Sequence, residues 1–394
     1  MTPPQGNSKA AKSQPRDLSL EALRGIAALI VMAWHFMMAF YWKTVFEPSY
    51  GFLGSPFYFL IHGPSVVSIF FVLSGYVLTK KYFETNEGRI LSSGALKRYF
   101  RLLPIPFISI MASWALFHFG LYSYKPAGDI TGSPWLANFA NGISPSFSPT
   151  FGAAFLQGSY ITFFTGDSSF NPLLWTIHVE LIGSFIAFGL AGIIAGVHGR
   201  VIAVVIAALT AAIVAHYFNF WFVPFIPGVL LAYYANNLKG MKLITAFILI
   251  VLGLLIIGFR EPIGFYSFMK FIGDYNGDMF RTYFATFGSC LIMASIIGCE
   301  KLKQSMQGKI SHWLGRLSFP FYAVHILILC SLASWVFVHY HATKGYDMAA
   351  AFAAVTLFVP SVILAALLAE VDERWAKYLN GWFRWLTGET KPKR

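Results

Sequence analysis

An arginine and a histidine, Arg24 and His35, interrupt the first apolar stretch of this chain, residues 18–42. On a helix, eleven residues at ~100° and ~1.5 Å each set the two side chains within about 20° of one another and roughly 16 Å apart. One helix face then carries a fixed cation near a membrane surface and a titratable imidazole deep in the span. Ionisable groups are costly in hydrocarbon, so an aligned pair points to a buried site; the plainer reading is a flanking charge plus a packing histidine. An imidazole in such a site can take a proton as a general base or accept a transferred group as a nucleophile.

Three further segments carry chemistry-bearing side chains. The second apolar run ends in Ser74-Gly75-Tyr76 and is followed by a basic stretch, residues 80–101, holding Lys80, Lys81, Arg89, Lys97, Arg98 and Arg101. Arg98 and Arg101 are three apart and share a helix face just before Pro104 and Pro106, which start or kink the next span. Guanidinium groups clamp phosphates bidentately, so this stretch reads as a polyanion site or as an ordinary topology-setting loop. The fourth run opens with Trp175, His178 and Glu180, and a carboxylate within a span wants a partner or a cavity. In the ninth, Ser318, Tyr322 and His325 follow 4-then-3 spacing along one helix face. Each has a structural alternative: tight packing for Ser74 and Gly75, an interfacial belt for Trp175, a helix-to-helix hydrogen bond for Tyr322 with His325.

The elements that must position these residues are membrane helices. Of 394 residues, 57% are hydrophobic and only 12% charged, with mean hydropathy +0.61; soluble domains carry about twice that charged share. The fold expected is all-α, a polytopic transmembrane helical bundle. Apolar runs fall near 18–42, 57–79, 102–120, 172–196, 200–217, 219–236, 242–258, 281–299, 317–341 and 347–371, about ten spans by length. With both termini cytoplasmic, 23 of the 29 lysines and arginines lie on the inner side, against Lys43, Lys125, Arg260, Lys270, Arg281 and Lys344 outside. The positive-inside rule sets that orientation. The same bias accounts for most of the net charge of +12, so nucleic acid is not an expected partner.

Residues 1–17 read as a disordered cytoplasmic tail, 18–371 as the transmembrane domain and 372–394 as a second cytoplasmic tail. The first apolar run is too long for a signal-peptide core and reads as an anchor. An external segment near 121–170 is rich in aromatics, among them Tyr122, Tyr124, Trp135, Phe139, Phe147, Phe151 and Phe155. Long loops of this kind are commonly functional. Its rings suit sugar faces or a membrane interface equally well, and Phe151 to Phe164 is apolar enough to be re-entrant or interfacial. Cys290, Cys299 and Cys330 lack metal-ligand spacing, and no metal is expected. No internal repeat supports a transporter built from inverted halves.

Taken together, these motifs resemble those of the membrane-bound acyltransferase-3 family, the integral-membrane O-acyltransferases of surface glycans. Arg24 and His35 match its Arg, ten residues, His pattern. Ser74-Gly75-Tyr76 match its Ser-Gly-aromatic motif, and Arg98 with Arg101 its Arg-x-x-Arg. Trp175 to Glu180 match Trp-(Ser/Thr)-Leu-x-x-Glu with Ile177 for Leu. Gly315, Ser318, Tyr322 and His325 match the late motif, where Pro320 departs from the pattern in a way expected to distort the start of that helix. With no appended esterase-like segment, the chain resembles stand-alone members.

The resemblance implies acyl-CoA, commonly acetyl-CoA, as cytosolic cosubstrate, held by Arg24, Arg98 and Arg101 with Ser74 and Tyr76. It implies His35 as general base or transient acyl carrier, and Glu180 as the group that orients or charge-stabilises it. Trp175, Ser318, Tyr322 and His325 are expected to line the site. The acceptor implied is a hydroxyl of an extracytoplasmic glycan, such as an exopolysaccharide or its lipid-linked precursor, at a bacterial inner membrane. The other functions weighed are acylation of a lipid or small secreted molecule, and export of an anionic or acylated compound.

Overall fold

A computed structural model describes residues 17–47, 51–144, 147–197, 199–272 and 277–386. The two expected tails, 1–17 and 372–394, therefore lie outside the described residues except for Asp17 and 372–386. Among the described residues the chain is helical, without strands. Among the described residues, eight helical stretches are long and apolar enough to cross a membrane. The helices that position the site are α1 (Leu18–Phe40), α2 (Gly63–Thr85), α3 (Gly88–Leu102), α4 (Pro104–His118), α5 (Trp175–Ala195), α6 (Arg200–Tyr217), α7 (Phe225–Tyr233), α8 (Leu243–Gly258), α9 (Asp278–Gly298), α10 (Lys309–Ile328), α11 (Ser334–Lys344) and α12 (Tyr346–Leu386).

The sixth and seventh expected spans are shorter than their hydropathy runs. Asn219 accepts the Trp221 N–H at 2.9 Å, winding Phe220–Phe222 into a tight turn before α7 begins after Pro224. At ~1.5 Å per residue α7 is roughly 14 Å long and α8 about 24 Å, both short of a ~30 Å core. Apolar composition alone cannot reveal where a capped turn subtracts from helix length.

Pro104 occupies the first turn of α4, where its missing N–H costs nothing, so the basic helix α3 ends and the apolar α4 starts there. Pro320 deprives Arg316 of an intrahelical partner for its carbonyl, yet α10 runs through it unbroken, so the expected distortion does not interrupt the helix. α10 continues into α11 through a π-helical turn at Leu329–Ala333. The helix of residues 346–386 extends well past the expected end of the last span at 371.

Helix α2 passes unusually close to α7. A Cβ on Gly75 would collide with the Phe225 carbonyl, and one on Gly228 with that of Val72. Phe71 and Phe225 stack at 5.3 Å across the same crossing. Close backbone approach through small residues is a common basis of helix association in membranes.

The aromatic segment is folded rather than loose. Tyr122, Tyr124 and Phe139 pack on one another, and Tyr122 and Phe139 also on Phe117, at 4.5–5.8 Å. Residues 151–164 descend along α4 as a broken helix, Phe151 against Trp114, Phe155 against Phe107 and Phe163 against Tyr99. The chain then turns back. Asn171 donates to Ser109 Oγ and to the Ala323 carbonyl, both at 2.7 Å, and α5 starts from this buried anchor.

Candidate active site

His35 is the eighteenth of the 23 residues of α1 and is 8% exposed; His325 lies on α10 and is fully buried. Their rings meet, His35 Nδ1 to His325 Nε2, at 2.9 Å. His325 Nδ1 is also 3.1 Å from the Phe321 carbonyl, which can only accept. That contact places the His325 proton on Nδ1 and leaves its Nε2 a lone pair. His35 must then donate from Nδ1, and its own Nε2 carries the free lone pair. Among the described residues nothing hydrogen-bonds that nitrogen. The Phe321 carbonyl, one turn earlier on the same helix, thus sets the tautomer of one ring, and that ring sets the tautomer of the other. Trp135, from the short helix Pro134–Ala137, stacks on His35 at 5.4 Å and 6° between planes.

A cavity of about 380 Å³ opens beside this pair on the basic side of the bundle. Arg24, Arg98, Arg101 and Arg316 line it together with Ser74, Glu180, Ser318 and Tyr322. At its far limit Tyr322 sits 6.0 Å, ring to ring, from His325. Tyr322 accepts from Thr176 Oγ1 at 3.2 Å and donates to the Leu173 carbonyl at 2.9 Å, so its hydroxyl is fixed between α5 and α10. His35 itself is not part of the cavity wall.

The arginines are less free than their spacing suggests. Arg98 pairs with Glu180 and donates from Nε to Ser184 Oγ at 2.7 Å. Arg101 binds Asp372 with both terminal nitrogens, the longer contact at 2.7 Å. Arg316 bridges Glu370 and Glu373 at 2.8 and 2.7 Å. Among the described residues, Arg24 is held only by Glu21, one turn away, at 3.3 Å. Glu180 from α5 and Asp372 from α12 thus neutralise Arg98 and Arg101 of the expected basic patch; only the position of Asp372 after the last span hinted at the second pairing.

Most predicted residues gather around this cavity, though not with the expected partners. Glu180 accepts from Ser74 Oγ at 2.7 Å and pairs with Arg98; the group hydrogen-bonded to His35 is His325. Ser318 donates to Gly315 O at 2.8 Å within its own helix. Tyr76 is buried outside the cavity wall, with the Lys80 ammonium 5.5 Å above its ring. Trp175 packs on Trp221 at 4.9 Å. His178 turns away and bonds the Phe163 carbonyl at 2.9 Å.

The acyltransferase-domain family model matches residues 17–370, nearly the whole described bundle. The chain belongs to the acyltransferase-3 family. Neither a curated protein nor a solved structure matches it. This acyltransferase is an integral membrane protein in which Arg24, Ser74, Arg98, Glu180 and Tyr322, from α1, α2, α3, α5 and α10, line one cavity.

Proposed function

We propose that this acyltransferase moves an acyl group, in the first instance acetyl, from cytosolic acyl-CoA to a hydroxyl of an extracytoplasmic glycan, such as an exopolysaccharide or its lipid-linked precursor. The membrane is a bacterial inner membrane, with the basic side and both termini cytoplasmic. The observation that carries the reading is the coupled histidine pair, with a lone pair directed to His35 Nε2, lying just past an arginine-lined cavity.

The CoA phosphates engage the guanidinium groups at the cavity mouth, Arg24 most readily because its own carboxylate is the loosest. The pantetheine arm lies along the cavity, which brings the thioester toward Tyr322 and the histidine pair. His35 Nε2 takes the proton of the acceptor hydroxyl as its oxygen attacks the thioester carbonyl. The C–S bond breaks and the proton returns from His35 to the departing sulfur, so CoA leaves as the thiol. His325 stabilises the positive charge that His35 carries in between, as the third member of a triad orients and stabilises its imidazole. The alternative path, an acyl-imidazole on His35 Nε2, uses the same lone pair.

The test is CoA release from acetyl-CoA by purified protein, wild type against His35→Ala, with and without an extracellular glycan fraction. Release that requires both His35 and glycan is expected, with at least a ~100-fold loss in the variant. Full activity without His35 ends this mechanism; release that needs a lipid instead of glycan moves the acceptor to the lipid class.

A further inference from the structure

A second recess, of about 200 Å³, lies at the opposite end of the bundle from the basic side. Its wall joins two guanidinium groups, Arg260 and Arg281, to two indoles, Trp34 and Trp221. Arg260 rests its face over Phe46 at 4.5 Å and Trp34 at 6.0 Å, and the Tyr58 hydroxyl also faces this guanidinium. The Nε atoms of Arg260 and Arg281 are both buried and make no hydrogen bond. Buried charged donors without acceptors are costly, and a native site that holds two of them calls for an anion to complete it.

Among the described residues, the protein's own carboxylates do not complete it. Glu261 stands 4.0 Å from Arg260 Nε, beyond hydrogen-bond distance. Asp278 contacts Arg281 Nη1 at 3.4 Å, but its side chain is 78% exposed. His62 is engaged at Nδ1 by the Ile257 carbonyl at 2.8 Å, which makes it the donor there, and its Nε2 faces Ser65 Oγ at 3.5 Å.

The recess nearly meets the arginine-lined cavity. Ser65 lines one and Val67 the other, two residues apart on α2. Phe71, in the cavity wall, packs edge-on against Trp221, in the recess wall, at 6.3 Å. One aromatic layer separates them.

We infer that this recess is the acceptor subsite and that it takes an acidic sugar, with the carboxylate on the edges of Arg260 and Arg281 and the apolar sugar face on the indoles. The inference rests on the transfer reading above and adds the charge of the acceptor to it.

The test uses the full-length protein in phosphatidylcholine nanodiscs, following tryptophan fluorescence. The titrants are a glucuronate-containing disaccharide, a neutral disaccharide and inorganic pyrophosphate, and the series is repeated with phosphatidylglycerol in the disc. A saturable response to the acidic disaccharide is expected, weakened at least tenfold by Arg260→Gln or Arg281→Gln and retained better by Arg260→Lys. An equal response to the neutral disaccharide, or indifference to both arginines, overturns the proposal. A stronger response to pyrophosphate, or competition from phosphatidylglycerol, overturns the acidic sugar in favour of a phosphate oxyanion. Should the glutamine variants aggregate, Trp34→Phe decides: loss of the signal upholds the site and an unchanged signal removes it. CoA release measured on the same samples separates the two readings. Transfer without arginine-dependent binding discards the subsite alone, and binding without release discards the transfer reading alone.

Discussion

On the proposed mechanism, His35 and His325 together form a base without a carboxylate beside them. The Phe321 carbonyl can only accept, so the proton positions of both rings follow from one contact. His325→Ala removes the acceptor for His35 Nδ1–H and frees the ring to adopt the wrong tautomer. A drop of about tenfold to a hundredfold in kcat with KM for acyl-CoA little changed is expected, read from steady-state CoA release. An unchanged kcat would make the contact a packing feature. Arg98 and Glu180 are 13% and 16% exposed, and breaking such a pair from one side strands the other charge. Arg98→Ala should cost about 3–5 kcal/mol, whereas Arg98→Ala combined with Glu180→Ala should recover part of it. Thermal unfolding in detergent across the double-mutant cycle measures this, and purely additive losses would deny the coupling.

At the scale of elements, the crossing of α2 and α7 sets the wall from which Ser74 reaches Glu180. Gly75→Ala forces a methyl into the Phe225 carbonyl, and overpacking of this kind costs about 1–3 kcal/mol. Lower thermal stability together with weaker acyl-CoA binding is expected, since Ser74 moves with the helix. Asp17 ties the start of α1 to the rest of the basic side. It accepts from Ser19 Oγ at 2.6 Å and pairs with Lys303 at 3.0 Å and Lys80 at 3.8 Å. Burial pushes its carboxyl up, but the Ser19 hydroxyl, Lys303 and Lys80 together outweigh that and hold it below the usual value. A carboxylate depressed in the folded state stabilises above its unfolded pKa of about 3.9, and loses that stabilisation as pH falls through the folded value. Wild type should therefore lose stability more steeply than Asp17→Asn below about pH 4, as thermal melts across pH would record.

Across the whole molecule, the two ends of the bundle differ in kind. The basic side presents a cavity of paired arginines and carboxylates, and the opposite side a smaller recess of guanidinium and indole groups. A transferase that takes its donor from one compartment and its acceptor from the other needs this polarity. Reporter fusions at residue 1 and residue 394 should both report a cytoplasmic location, and one inserted after Leu121, which is exposed, an external one. A fusion pattern with the termini outside would invert the assignment of donor and acceptor ends.

The sequence by itself determined the class of molecule and its family. Hydropathy runs long enough for a bilayer, few charges and five ordered motifs were sufficient, because membrane helices satisfy their backbone locally and so announce themselves in composition. Partners were another matter. That Glu180 belongs to Arg98 and Ser74, that Asp372 holds Arg101, and that His325 meets His35 across 290 residues depend on which helix faces pack together. Helical periodicity gives the direction of a side chain on its own helix but not the neighbour it will meet. The shortness of α7, the inward return of residues 151–171 and the recess around Arg260 and Arg281 likewise came only from tertiary packing, since each is made by segments that no local pattern brings together.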